Sequence, residues 1–169
     1  MVLLPIQDAS GYPQSGSDLH SFIYNFLTAK GYNLVPPKEV ATFLREFSLL
    51  PSNLIADPSS LIKTNEHLKA KLLLTGTLLQ YSLQKPYVRS ESFLVWEGGR
   101  YDYRTLPTYY PGTCQIKLML RLLEVEKGSV LWLAEGKILG PSQAANNLGK
   151  RLVERLLAGL PSLLPESGK

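Results

Sequence analysis

The run Leu72-Leu73-Leu74-Thr75-Gly76-Thr77-Leu78-Leu79-Gln80 passes through Thr-Gly-Thr without a turn signal and continues into Tyr81-Ser82-Leu83. A later segment, Leu118 to Trp132, carries Leu-Met-Leu-Arg-Leu-Leu-Glu-Val-Glu and then Gly128-Ser129-Val130-Leu131-Trp132. Both read as central strands of one sheet, since near-continuous apolar strands need cover on both faces. Within Gln115–Glu124 the even positions Ile116, Leu118, Leu120 and Leu122 are apolar, and the odd set is partly polar. One face is therefore expected to pack on helices and the other to be more exposed. Gly128 marks a tight turn through Glu126–Ser129.

The first half supplies the helices. Val2–Ile6 is predicted to be a short buried strand, followed by turn chemistry at Gln7–Pro13. Leu19, Phe22, Ile23, Phe26 and Leu27 share a helix face that ends at Lys30-Gly31. Tyr32–Val35 reads as a second short strand. After Pro36-Pro37, a second helix carries Val40, Phe43, Leu44 and Phe47. Residues 51–58 read as a loop, and Ser59-Ser60 as the cap of a third helix. A last helix runs from about Ser142 to Leu160, with a stripe of Leu148, Leu152, Val153, Leu156 and Leu157. Residues 162–169 read as a flexible tail.

The expected fold is α/β (α+β). It is a single domain over residues 1–161, with a mixed sheet of about five strands, helices packed on it and a hairpin insertion at 85–111. The chain has 169 residues, 44% of them hydrophobic and 19% charged, enough for a core and unlike a disordered chain. Its formal net charge is +4, and its basic residues are dispersed. The densest group, Lys63, Lys69 and Lys71 around His67, is too thin to imply nucleic acid.

Catalytic signatures are missing. His20 and His67 have no further His or Cys at ligand spacing, so no metal site is expected. The single Cys114 reads as a buried free thiol. The loop Asp8–Gly16 lacks the P-loop lysine and the glycine spacing of a dinucleotide site, and reads as a plain strand-to-helix turn. Glu39 and Glu46, seven apart, read as a solvated helix face. No catalytic residue and no cofactor is expected. An enzyme would gain ground if a pocket gathered Asp8, His20 or Glu39 with other ionisable groups.

The least ordinary stretch lies between Lys85 and Pro111. It holds most of the tyrosines, together with Phe93 and Trp96, around a hairpin tip at Glu97-Gly98-Gly99-Arg100. In one reading the aromatics cover the sheet or pack across strands. In the other, Tyr87, Arg89, Phe93, Trp96, Arg100, Tyr101, Tyr103 and Arg104 form a contact for a partner or a neighbouring subunit, because Tyr, Trp and Arg are favoured at interface hot spots. A glycan or small ligand stacking on the aromatics is the rival use.

Several phrases carry a resemblance: a first strand ending in a polar turn, the short Gly-Tyr-Asn-Leu-Val segment at 31–35, Arg45-Glu46 on the second helix, the Leu72–Thr77 run and the Leu122–Trp132 phrase. With the amphipathic last helix, these resemble bacterial envelope lipoproteins related to the curli-secretion channel protein. Relatives include penicillin-binding-protein activator lipoproteins, the Pel polysaccharide export lipoprotein and the N-terminal domain of TolB. The resemblance implies a non-enzymatic periplasmic domain at the outer membrane, held by a lipid anchor upstream of Met1 after removal of a leader. It implies work through contacts with envelope proteins or copies of itself in assembly, secretion or export. The channel-forming member inserts membrane-spanning hairpins. Here the arms read as about nine residues or fewer and carry Arg89, Glu91, Asp102 and Arg104, so a pore is not expected.

Overall fold

The computed structural model of the chain describes residues 1–12 and 14–161. Its first half contains β1 (Val2–Leu3), β2 (Gln7–Asp8), α1 (Ser15–Ala29), α2 (Pro37–Glu46), α3 (Pro51–Ala56) and α4 (Pro58–Leu68). Next come β3 (Leu72–Leu83), β4 (Tyr87–Glu97), β5 (Arg100–Tyr110), β6 (Thr113–Glu124) and β7 (Val130–Pro141). A 3-10 turn at Ser142–Ala144 leads into α5 (Ala145–Leu157).

The Leu72 run is the organising strand. On one side β3 pairs antiparallel with β6, which pairs antiparallel with β7. On the other side β1 and β2 both lie parallel to β3. This is the expected mixed sheet, with five strands. The predicted Val2–Ile6 strand is divided because Pro5 has no N–H to give to a ladder. The chain nevertheless follows β3 throughout: the Leu4 amide bonds to the Leu74 carbonyl at 2.9 Å, and the Ala9 amide to that of Leu78 at 3.0 Å.

Helices cover both faces, but unequally. On one face α1 and α5 bury Leu19, Ile23, Leu27, Leu148, Leu152 and Val153 against Leu74, Leu78 and the even-numbered apolar set of β6. On the other face Val40, Phe43, Leu54 and Leu61, from α2, α3 and α4, meet Val2, Leu4, Leu73 and Leu123 at one end of the sheet. The odd set of β6 is partly polar where this second layer stops: Lys117 and Arg121, with Met119 between them, are only half-buried. Each fully buried leucine contributes about 1.5–3 kcal/mol, so the double layer around β3 and β6 is the main stabilising feature.

Four expectations are corrected. Tyr32–Val35 is not a strand. It lies beside the chain start, with the Val35 amide bonded to the Met1 carbonyl at 3.0 Å and the Met1 ammonium to the Asn33 carbonyl at 2.9 Å. Pro36-Pro37 then removes the donors that would extend a ladder. Residues 51–56 are helix and not loop, with Pro51 at the first helical position, where its missing donor does no harm. The cap of α4 is Asp57, whose carboxylate accepts from the Ser59 amide at 3.0 Å and from the Ser60 hydroxyl at 2.8 Å. The last helix is also shorter than expected, and the tail at 162–169 lies outside the described residues.

Candidate functional site

The insertion is a two-stranded sheet separate from the main one. At its root the Gln84 amide bonds to the Thr113 carbonyl at 2.8 Å, so the hairpin leaves the body where β3 and β6 end. At its tip Gly98 and Gly99 have φ of 60° and 86°. A two-residue turn matched to strand twist needs positive φ at both positions, and glycine supplies it. The register runs from Glu97 opposite Arg100 to Tyr87 opposite Tyr110 without a shift. Each arm is 11 residues long.

Directly paired residues of an antiparallel ladder share a face, so the register sorts every side chain. One face holds Tyr87, Arg89, Glu91, Phe93, Val95 and Glu97 with their partners Arg100, Asp102, Arg104, Leu106, Thr108 and Tyr110. All the ionisable acids and bases of the arms are here, three arginines against three carboxylates. They satisfy one another in part: Arg104 pairs with Glu97, and the Tyr110 hydroxyl donates to Glu91, which raises the Tyr110 phenol above its ordinary pKa. The Tyr87 and Tyr110 rings stack with centroids 5.0 Å apart.

The opposite face carries no charge. It comprises Val88, Ser90, Ser92, Leu94 and Trp96, paired with Tyr109, Pro107, Thr105, Tyr103 and Tyr101. The hydroxyls of Ser92 and Thr105 lie 3.0 Å apart, and Trp96 meets Tyr101 edge-on at 4.7 Å. These aromatics do not cover the main sheet. Trp96, Tyr101 and Tyr103 are 60%, 67% and 76% exposed, and Val88, Leu94 and Tyr109 are more than half exposed. The cross-strand part of the first sequence reading holds at two ring pairs; its sheet-covering part does not.

The eight residues singled out in the sequence therefore divide. Trp96, Tyr101 and Tyr103 come together on the uncharged face. Tyr87, Arg89, Phe93, Arg100 and Arg104 lie on the charged one. Val88, Leu94, Pro107 and Tyr109 were missed as members of the first group. The signal was present: once Gly98-Gly99 is taken as the turn, counting outward pairs each residue and reveals the segregation. The length expectation also changes, because the arms exceed nine residues, and the charges that argued against a membrane location occupy one face only.

Elsewhere the chemistry-bearing residues have structural surroundings. Asp8 accepts from the Ser10 amide at 2.8 Å and the Ser15 hydroxyl at 2.7 Å, closing the turn into α1. Burial pushes the Cys114 thiol up, away from a reactive thiolate. His20 lines a cleft of about 280 Å³ between β1 and the first two helices, among Leu3, Ile6, Pro37 and Val40, and burial lowers its pKa. Glu39, Glu46, Lys38 and His67 line an open cleft of about 330 Å³ between α2 and α4. No hydrogen bond or ion pair joins these four, and the His67 ring packs on Phe47 at 4.6 Å. Among the described residues no group of three His, Cys, Asp or Glu could hold a metal ion, and no helix is long and apolar enough to cross a membrane.

The architecture defines a class: a mixed sheet with two short parallel edge strands, helices on both faces and a β-hairpin between its two central strands. Neither a protein-family model nor a curated protein sequence matches this chain. Among solved structures, lipoprotein GNA1162 from Neisseria meningitidis shares the fold with a TM-score of 0.64 at 14% identity, over 93% of this chain and 94% of that one. The PelC dodecamer from Paraburkholderia phytofirmans gives 0.59 at 17% identity, over 93% and 83%. The LpoB C-terminal domain from Salmonella enterica gives 0.50 at 13% identity, over 81% and 80%. At these identities the likeness is one of fold.

Proposed function

We propose that this chain is a non-enzymatic periplasmic domain of an outer-membrane lipoprotein, acting through protein contacts in envelope assembly, secretion or polysaccharide export. The proposal includes kinship with the curli-secretion channel protein and the TolB N-terminal domain, and a lipid anchor upstream of Met1. Support comes from the sequence resemblance and from a fold shared with a lipoprotein and with a protein that assembles as a dodecamer.

One observation carries the reading. The hairpin presents a contiguous uncharged face, rich in Tyr and Trp, that no described residue covers. Large exposed apolar patches mark interaction sites, and Trp and Tyr dominate binding energy at interface centres. Trp96→Ala/Tyr103→Ala is expected to weaken capture of the partner from solubilised envelopes at least about tenfold, since each such anchor is worth on the order of 2 kcal/mol. The melting temperature is expected to stay unchanged. Loss of glycan binding with protein association intact supports the sugar-stacking rival instead.

A second reading is favoured by the geometry of the arms. Eleven residues suffice for a tilted membrane-spanning strand, and strict alternation of uncharged and charged faces is the pattern of a barrel wall. In this reading hairpins from several copies close a barrel, with the uncharged face toward lipid and the charged face toward the lumen. Incorporation of the wild-type oligomer into planar bilayers with stepwise conductance supports it; an oligomer without conductance returns the hairpin to protein contact.

A further inference from the structure

The outer edge of β7 bonds to no described strand, since β7 pairs with β6 alone. The Ser142 amide bonds to the Gly112 carbonyl at 3.0 Å, continuing the β6–β7 ladder and fixing its phase. Hydrogen-bonded pairs alternate along an antiparallel ladder. Even-numbered residues of β7 therefore bond inward to β6, and Leu133, Glu135, Lys137 and Leu139 turn their N–H and C=O groups outward. The Arg155 guanidinium reaching the Lys137 carbonyl at 2.7 Å fits this phase. All four side chains are exposed, on the face away from α5.

A free edge of this length invites another strand. Proteins usually blunt such edges with proline, bulges or repelling charges. From Trp132, beyond the register shift at Leu131, to Gly140 there is no proline and no further shift, and the two charges complement each other across a two-fold axis. Leu133-Ala134-Glu135-Gly136-Lys137-Ile138-Leu139 reads against itself. With Gly136 facing Gly136 of a second copy, Glu135 faces Lys137, Ala134 faces Ile138 and Leu133 faces Leu139.

We propose that β7 is a self-association edge, on which a second copy of this chain adds its own β7 antiparallel, centred on Gly136. Such an isologous contact makes each pair off the axis twice. It also resolves an imbalance within the single chain. Lys117 and Lys137 lie directly opposite each other across β6 and β7, while Glu135 bonds to Lys117 at 2.7 Å and Lys137 has no carboxylate among the described residues. Like charges directly opposite are unfavourable, and Glu135 of the second copy supplies the missing partner. The Lys137 carbonyl retains a second lone pair for the added strand beside Arg155. This edge is distinct from the hairpin and does not rest on its reading.

The test is sedimentation equilibrium of the full chain across a concentration range, in low salt. Wild type is expected to approach twice the monomer mass, and Trp96→Ala/Tyr103→Ala to do the same. Lys137→Glu places Glu opposite Lys117 within the chain, so it keeps the fold, but opposes Glu135 across the axis. Its self-association is expected to fall at least about tenfold, as two favourable pairs become two repulsive ones. Glu135→Lys is expected to fall likewise. An equimolar mixture of the two variants restores both pairs in a heterodimer, and twice the monomer mass is expected again. A monomeric wild type, single variants that associate as wild type does, or a mixture that stays monomeric would each overturn the proposal.

Discussion

Asp8 and Asp57 show how single residues hold this fold. Partial burial pushes the Asp8 carboxyl up, but bonds from the Ser10 and Ser15 hydroxyls and from the Ser10 and Gly11 amides outweigh it and keep it low. The hydroxyls of Ser59 and Ser60 and the Ser59 amide hold Asp57 low as well. Both carboxyls sit below their unfolded value of about 3.9. Their contribution is therefore complete above that value and is lost as pH falls through the folded one. Thermal stability is expected to fall on acidification below about pH 4, and Asp8→Asn/Asp57→Asn is expected to flatten that slope. Two glycines differ in kind. A methyl on Gly76 would meet the ends of Ile6 and Leu120, 2.5 and 2.9 Å away, which can turn aside. A methyl on Gly112 would meet the Gln84 carbonyl at 2.2 Å and the Pro86 nitrogen at 2.7 Å, which cannot. Denaturant titration is expected to show Gly112→Ala losing roughly 1–3 kcal/mol or more, and Gly76→Ala clearly less.

At the scale of elements, periodicity found what is long. The Leu72 strand, the β6 alternation, the helix stripes and the glycine turn of the hairpin were legible because each repeats a simple pattern over several turns or pleats. Short elements were not. Pro5 divides β1 from β2, α3 occupies six residues that read as a loop, and Tyr32–Val35 has strand-like residues but bonds to Met1, to the Leu27 carbonyl at the end of α1 and to the Pro161 carbonyl, not to a sheet ladder. Their form is set by what lies beside them, which no local pattern records. For the hairpin the residues were found but not their sorting, because the two faces emerge only when the arms are paired in register. The hairpin's own ladder and its separation from the helices predict independence. Replacing residues 87–110 with a short turn is expected to leave the melting temperature of the domain within a few degrees of wild type. A collapse in stability would mean that the hairpin braces β3 and β6.

At the scale of the molecule, one sheet positions two exposed surfaces of different character. The body is held by the double helical cover of β3 and β6. The hairpin projects from one end of those strands with its charges on one side and its aromatics on the other. The edge of β7 runs along the flank of the sheet with a self-complementary pattern. A chain with these two surfaces can use one for a partner and the other for its own copy. The uncharged hairpin face is proposed above as a protein contact. Site-specific photo-crosslinking in cells addresses it most directly, with the probe at Tyr103 on that face and, for comparison, at Arg104 on the other. Protein adducts from position 103 and few or none from 104 are the predicted result. Equal labelling from both positions, or adducts to lipid alone, would contradict it.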